Sequence, residues 1–127
     1  MLQRPIASTA FRLLLVAVAL LASTGCGEGT PAASPETIAA GGKHFQTTCA
    51  TCHGADANGL PKLGKGLRMN EFVKTNGDDE MLAFLKTGRQ ASHPLNTTGI
   101  DMPPKGGNPA LTDEDLKAIV AYLRTLQ

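Results

Sequence analysis

The stretch Cys49-Ala50-Thr51-Cys52-His53 decides how this chain folds. Its two cysteines are about one helical turn apart, so both sulfur atoms can lie on the same side of a helix. A histidine follows at once, and its ring nitrogen can bind a metal held on that side. This spacing is typical of the covalent attachment site of a c-type haem, in which both sulfurs join the porphyrin and the histidine binds the iron.

Two other uses of paired cysteines fit the sequence less well. A thioredoxin-like redox pair needs a βαβ context, and no strand pattern surrounds Cys49. A zinc site needs a second pair of Cys or His ligands, whereas the third cysteine of the chain, Cys26, stands alone. The chain is also short of large apolar residues, with four Phe, one Tyr and no Trp. A covalently bound haem would supply the missing core of so small a domain.

The first quarter of the 127-residue chain is predicted to direct export. Arg4 and Arg12 precede an unbroken apolar run over 13–22. This run is about half of the roughly twenty residues that a transmembrane helix needs, which is typical of a signal peptide. We therefore predict a signal peptide over residues 1–25, and a mature protein in the periplasm or on the outer face of the cytoplasmic membrane.

The sequence Ser23-Thr24-Gly25-Cys26 resembles the processing box of bacterial lipoproteins, with serine in place of the usual leucine. Lipidation of Cys26 would anchor the chain to the membrane. Ordinary signal-peptidase cleavage would instead leave Cys26 as an unpaired, reactive thiol in an oxidising compartment, which is unfavourable. Residues 26–35 are small, polar and interrupted by proline, and predict a flexible tether, which leaves 36–127 as the folded domain. Removal of residues 1–25 changes the formal net charge from +1 to −1, so the chain lacks the basic footprint of a nucleic-acid-binding protein.

The folded domain is predicted to be all-α, with three to five helices and long loops wrapped around one haem. Capping residues and apolar spacing predict helices over 35–47, over 70–75, from an N-cap at Asp78 to a C-cap at Gly88, and from the N-cap Thr112 to the C-terminus. The stretches 54–66 and 89–109 are rich in Gly, Pro, Asn and Thr, and predict long loops of the kind that are usually functional.

From about Ile38 to Gln127 the chain resembles the class I c-type cytochromes, the small monohaem electron carriers. The resemblance rests on four stretches, which are GGKHFQTTC (41–49), CATCHG (49–54), the Met102-Pro103-Pro104 turn and LTDEDLKAIVAYLRTL (111–126). It implies one covalent haem c beneath two helices that cross at close range. Gly41 or Gly42 of the first helix would there meet Tyr122 of the last.

The resemblance also implies a second iron ligand, for which Met102 is the predicted residue. Met102 lies in a loop well beyond His53, and two prolines fix the backbone directly after it. His93, in the same loop, is the alternative ligand, and His44 is expected to lie on the exposed face of the first helix. Met81 lies on the apolar face of a predicted helix, where methionine usually fills the core, and Met69 has no rigid frame around it.

The family holds the other ring N–H of its ligand histidine with a backbone carbonyl from a proline-containing loop. Pro61 is the residue predicted for this role. With histidine and methionine both bound, the haem would be six-coordinate, would have a raised reduction potential, and would bind small gases or peroxide poorly.

The predicted function is one-electron transfer between a quinol-oxidising complex or dehydrogenase and a terminal oxidase or other acceptor. Scattered lysines could form a basic docking rim or could simply be solvated, and they are Lys43, Lys62, Lys65, Lys86 and Lys105. A haem subunit of a dehydrogenase or oxidase complex is the alternative, because the stretch over 96–116 also resembles cytochrome domains of respiratory oxidases. A five-coordinate gas sensor or peroxidase-like protein is a third hypothesis. Apart from the haem, the chain offers no acid–base or nucleophile pair, so it is not predicted to be an enzyme on its own.

Overall fold

The computed structural model describes residues 32–127, and this part of the chain is helical as predicted. Its five α-helices are α1 (Pro35–His44), α2 (Ala50–His53), α3 (Glu71–Thr75), α4 (Asp78–Thr87) and α5 (Asp113–Arg124). A π-helical turn (Phe45–Cys49) joins α1 to α2, and a 3-10 turn (Pro104–Gly107) precedes α5. Within the described residues, β structure is limited to two isolated bridges. The predicted signal peptide and Cys26 lie outside these residues.

The first helical segment runs without a break from Pro35 to His53, beyond the predicted end near Thr47. The Ser34 side chain accepts a hydrogen bond from the Thr37 amide, as expected of an N-cap. The π-helical turn continues the helix from α1 into α2. The chain leaves the helical conformation at Gly54, where φ is +78°. The paired cysteines and the histidine are therefore carried at the end of one long helical segment.

The crossing of α1 and α5 is as close as the sequence predicted. A Cβ atom added at Gly41 would lie only 1.9 Å from the backbone carbonyl oxygen of Ala118. One added at Gly42 would lie 3.3 Å from the Tyr122 ring, and that ring is 5.4 Å from the ring of Phe45 between centroids. Only glycine at position 41 allows the two backbones to approach in this way.

The core is formed by side chains of the π-helical turn, α3, α4 and α5. Its largest fully buried side chains are Phe45, Val73, Leu116 and Ile119. Helix α5 begins with a capping box, in which the Thr112 side chain accepts from the Asp115 amide and the Asp115 carboxylate accepts from the Thr112 amide. The C-terminal helix is thus stabilised at its start by its own sequence, as predicted.

The start of α4 corrects one prediction. The N-cap is Gly77, and Asp78 is the first residue of the helix. An acidic residue is still favourable there because it faces the positive end of the helix dipole. The Asp78 carboxylate also accepts a 2.9 Å hydrogen bond from Arg124, so it joins α4 to the end of α5. The predicted C-cap Gly88 is confirmed, with φ at +68°.

The loops are where the sequence placed them, between α2 and α3 and between α4 and α5. No helix within residues 32–127 has both the length and the apolar character needed to cross a membrane.

Candidate functional site

One cleft brings the cysteine–histidine motif and the proline-flanked methionine together. Its volume is about 960 Å³, which includes space that is open to solvent. Cys49, Cys52, His53 and Met102 all line it. Apolar side chains from α3, α4 and both loops complete the lining, and they include Leu63, Leu67, Phe72, Phe84, Leu95 and Ile100.

The His53 ring is held by a backbone carbonyl. Its Nδ1 atom lies 2.7 Å from the carbonyl oxygen of Lys65. A carbonyl oxygen only accepts, so Nδ1 carries the proton and donates it. The proton-free Nε2 is then the atom available to bind a metal, and the hydrogen bond fixes the ring orientation.

This carbonyl corrects the prediction of Pro61. Residues 60–64 form a tight turn in which the Leu60 amide donates to the Gly64 carbonyl at 2.9 Å, and Pro61 lies exposed within it. The chain after the turn passes directly against the motif, since a Cβ atom at Gly64 would lie 2.3 Å from the Cys52 carbonyl oxygen. Lys65 therefore reaches His53.

Cys49 and Cys52 do not form a disulfide with each other. Burial, with a smaller contribution from the neighbouring Cys52, raises the pKa of the Cys49 thiol to about 11. Nucleophilic cysteines of dithiol redox enzymes have lowered pKa values instead. Within residues 32–127 there is also no group of three or more His, Cys, Asp or Glu side chains arranged to hold a metal ion, whereas a structural zinc site needs four such ligands.

Met102 is fixed against the end of α4 by its backbone. The Met102 amide donates to the Arg89 carbonyl, and the Arg89 amide donates to the Met102 carbonyl, both at 2.8 Å. Gly88 makes this approach possible, because a Cβ atom there would lie 2.1 Å from the Met102 carbonyl oxygen. The half-buried Met102 side chain is left to line the cleft.

The other residues considered as iron ligands lie elsewhere. Met81 is 2% exposed in the core, and Met69 is 60% exposed. His93 is exposed, is not among the cleft-lining residues, and accepts a 3.1 Å hydrogen bond from the Leu95 amide through Nδ1. His44 pairs with Asp115 across the α1–α5 crossing at 3.1 Å. Of these side chains and Met102, Met102 alone lines the cleft.

Sequence reasoning missed two features of the cleft. The first is the Lys65 carbonyl, a backbone group that carries no signal of its own. The second is Arg89, whose guanidinium carbon lies 4.8 Å from the centre of the Phe72 ring and 4.7 Å from that of Phe84. Its position directly after the helix-ending Gly88 was the one available signal.

The donor set of the cleft fits a haem. Two thiols lie a helical turn apart, as attachment to two vinyl groups requires. An imidazole nitrogen and a thioether sulfur line the same cleft, and both are donors that iron accepts from protein side chains. The remaining walls are largely apolar, which suits a porphyrin ring.

Comparison with known proteins points to the same cofactor. Residues 36–123 match the sequence model of the family described as cytochrome C oxidase, cbb3-type, subunit III. The chain is 34% identical over 86 residues to a cytochrome c-555 of Prosthecochloris aestuarii, covering 68% of this chain and 84% of that protein. It is 35% identical over 85 residues to a cytochrome c-555 of Chlorobaculum thiosulfatiphilum, covering 67% and 91% respectively.

A larger relative matches through one part of its length. The cbb3-type cytochrome c oxidase subunit CcoP of Rhodobacter capsulatus is 30% identical over 88 residues, which is 68% of this chain and 28% of that subunit. No solved structure gives a significant match. The family model covers nearly all of the helical domain, and the two cytochromes c-555 are matched over most of their length. The chain therefore belongs to the c-type cytochromes, the haem-based electron-transfer proteins that hold haem c covalently.

Proposed function

We propose that this protein is an exported one-electron carrier of a respiratory chain, in which Cys49 and Cys52 attach the haem and His53 and Met102 bind its iron. The observation that carries the proposal is the meeting of these four side chains in one cleft. When bound, the haem supplies a one-electron iron couple. The protein supplies attachment, ligand orientation and the exclusion of water.

Each side of the cleft has a defined role in this proposal. The Lys65 carbonyl keeps the proton on Nδ1 of His53, so that Nε2 is unprotonated and available to bind the iron. The backbone pair between Arg89 and Met102 holds the thioether sulfur in place. A soft thioether ligand favours ferrous iron and raises the reduction potential, which suits a carrier that accepts electrons from a quinol-oxidising complex or dehydrogenase.

The lysines proposed as a docking rim differ in their availability. Lys86 pairs with Asp113 at 2.8 Å, and Lys105 donates to the Leu111 carbonyl at 2.6 Å. Lys43, Lys62 and Lys65 are exposed, and Lys65 lines the cleft. Weak redox complexes use small polar interfaces steered by charge, so we place the docking rim at Lys62 and Lys65 beside the cleft.

A second function, as the haem subunit of an oxidase complex, is favoured by the family model and by the CcoP relative. The two functions differ in how firmly the protein is held by its partner. A carrier purifies alone after gentle solubilisation, whereas a subunit co-purifies with a terminal oxidase in fixed ratio. In both cases we propose cleavage of residues 1–25, and attachment to the membrane through a lipid on Cys26.

Binding of carbon monoxide tests the proposed ligand set. The full chain is produced in a bacterial host that attaches haem c, and the ferrous holoprotein is exposed to carbon monoxide. A haem held by His53 and Met102 has no open position, so the spectrum should not change. Rapid binding by the untreated protein would overturn the carrier and support a five-coordinate gas-binding or peroxidase-like protein.

A further inference from the structure

Arg89 brings a positive charge into the wall of the cleft. Its guanidinium contacts the rings of Phe72 and Phe84, and all three side chains line the cleft. Among residues 32–127, no carboxylate lies within salt-bridge distance of it. Asp101 lines the same cleft, but its carboxylate accepts a hydrogen bond from the Ala91 amide and does not pair with Arg89.

Arg124 is another half-buried arginine of this domain, and its polar contacts provide a comparison for Arg89. Its guanidinium pairs with Asp78 at 2.8 Å and donates to the backbone carbonyls of Val73 and Asn76. Arg89 is also partly buried and has two aromatic rings in their place. Aromatic faces attract a cation, but they accept no strong hydrogen bond from its N–H groups, so Arg89 still lacks an anionic acceptor.

The cofactor of the family carries such acceptors. A haem has two propionate carboxylates, and a planar guanidinium pairs with a carboxylate through two parallel hydrogen bonds. We propose that Arg89 is the anchor for a haem propionate in this protein. The proposal rests on the placement of the haem in this cleft, as proposed above.

The position of Arg89 gives the pairing two consequences. Its side chain contacts α3 through Phe72 and α4 through Phe84, while its backbone holds Met102. The residue would therefore tie one edge of the haem to the segment that carries the methionine ligand. Its positive charge would also offset a propionate charge that otherwise stabilises ferric iron, and so it would raise the reduction potential.

Proton NMR of the wild-type holoprotein tests the contact directly. The ferrous protein is diamagnetic when six-coordinate, so nuclear Overhauser contacts can be read close to the haem. We expect contacts between the Arg89 guanidinium protons and propionate methylene protons. Contacts of these guanidinium protons with protein groups alone would overturn the proposal.

Reduction potentials of variants test the charge. Arg89→Gln should shift the potential down, and Arg89→Lys, which keeps the charge, should stay nearer to the wild-type value. Lys117→Gln is the matched control, because it removes the same charge from a residue that is 61% exposed on α5 and paired with Glu114. It should leave the potential unchanged. Equal potentials for wild type and Arg89→Gln, or equal shifts for Arg89→Gln and Arg89→Lys, would each overturn the proposal.

The placement of the haem between His53 and Met102 and the role of Arg89 can be overturned separately. If the haem does not lie between His53 and Met102, the wild-type ferric protein will lack the weak far-red band of sulfur-ligated iron, and the placement falls together with the role of Arg89. If the band is present in wild type and in Arg89→Gln while the potentials agree, only the role of Arg89 falls. A third outcome is that the band is lost in Arg89→Gln but kept in Arg89→Lys, while the wild-type protein shows no propionate contact. The change in potential would then come from the loss of Met102 as a ligand, and the pairing of Arg89 with a propionate would be overturned.

Discussion

The histidine side and the methionine side of the cleft are built in different ways. Cys49, Cys52 and His53 lie within five consecutive residues at the end of a helical segment whose first part packs against α5. Met102 lies in a long loop and is held by one pair of backbone hydrogen bonds to Arg89. Helical packing stabilises the first side cooperatively, whereas the second depends on a few local contacts. We therefore expect the histidine side to resist perturbation and the methionine side to open first.

Loss of both attachment cysteines should have the largest effect. The double variant Cys49→Ala, Cys52→Ala has no sulfur to join to haem, so we expect no covalent haem on a denaturing gel stained for haem, and a chain that unfolds because its cleft is left without a core. The control is the Cys26→Ser variant, which keeps both motif cysteines. Covalent haem in the double variant would show that the attachment site lies elsewhere.

Removal of the thioether should break the methionine side while leaving the histidine side intact. Met102→Ala should keep covalent haem, lose the far-red band of the ferric protein, bind carbon monoxide when ferrous, and lower the reduction potential within the ~0.8 V range that axial ligands control. Met69→Ala is the matched control, since Met69 is 60% exposed. A far-red band that persisted in Met102→Ala would assign the ligand to another residue.

A single added Cβ atom should disrupt the close crossing of α1 and α5. In Gly41→Ala the new Cβ collides with the Ala118 carbonyl, a backbone group with no room to move, so we expect a loss of about 2–3 kcal/mol in the free energy of unfolding. In Gly42→Ala the neighbour is the Tyr122 side chain at 3.3 Å, which can shift. The better helix propensity of alanine, worth about 1 kcal/mol, then offsets part of the cost. Urea unfolding of both holoproteins measures the difference, and equal stabilities would contradict the close crossing.

The loop before Met102 should be the easiest part to loosen. The Asn96 side chain donates to the carbonyls of Gln90 and Ile100, at 3.1 and 2.7 Å, and accepts from the Gly99 amide at 3.0 Å. Asn96→Ala removes these bonds, so we expect faster carbon monoxide binding with little change in the unfolding midpoint. Ser92→Ala changes an exposed residue of the same loop and should bind at the wild-type rate. Equal rates for both variants would show that the methionine side does not depend on the Asn96 contacts.

The smallest expected effect is a pH dependence at the start of α5. Hydrogen bonds from the Thr112 amide and side chain, together with His44, hold the pKa of the Asp115 carboxyl below its ordinary value of 3.8. A lowered pKa means that the ionised form stabilises the fold above that value and that this stability is lost as the pH falls. Asp115→Asn should therefore flatten the acid side of the stability curve. Thermal unfolding of the holoprotein from neutral pH down to below the ordinary carboxyl pKa measures this. A wild-type slope in the variant would assign acid sensitivity to other carboxyls.

The same contrast explains what the sequence could predict. The capping box of α5 and the paired glycines of α1 are local signals. The first gave the start of the helix, and the second gave the contact of Gly42 with Tyr122. The partner of His53 could not be assigned from a proline, because the tight turn over 60–64 sets which carbonyl arrives at the ring. Arg89 was missed because its aromatic neighbours come from two other helices. Side chains brought together by tertiary packing leave no periodic pattern in the chain.

The most direct test of the central claim is the proton NMR spectrum of the ferrous holoprotein. A methionine bound to haem iron lies over the porphyrin, and the ring current moves its methyl signal far upfield. We predict one such signal in wild type and in Met69→Ala, and its loss in Met102→Ala. An upfield methyl signal that survived in Met102→Ala, or its absence from the wild-type protein, would contradict the proposed binding of the haem iron by His53 and Met102.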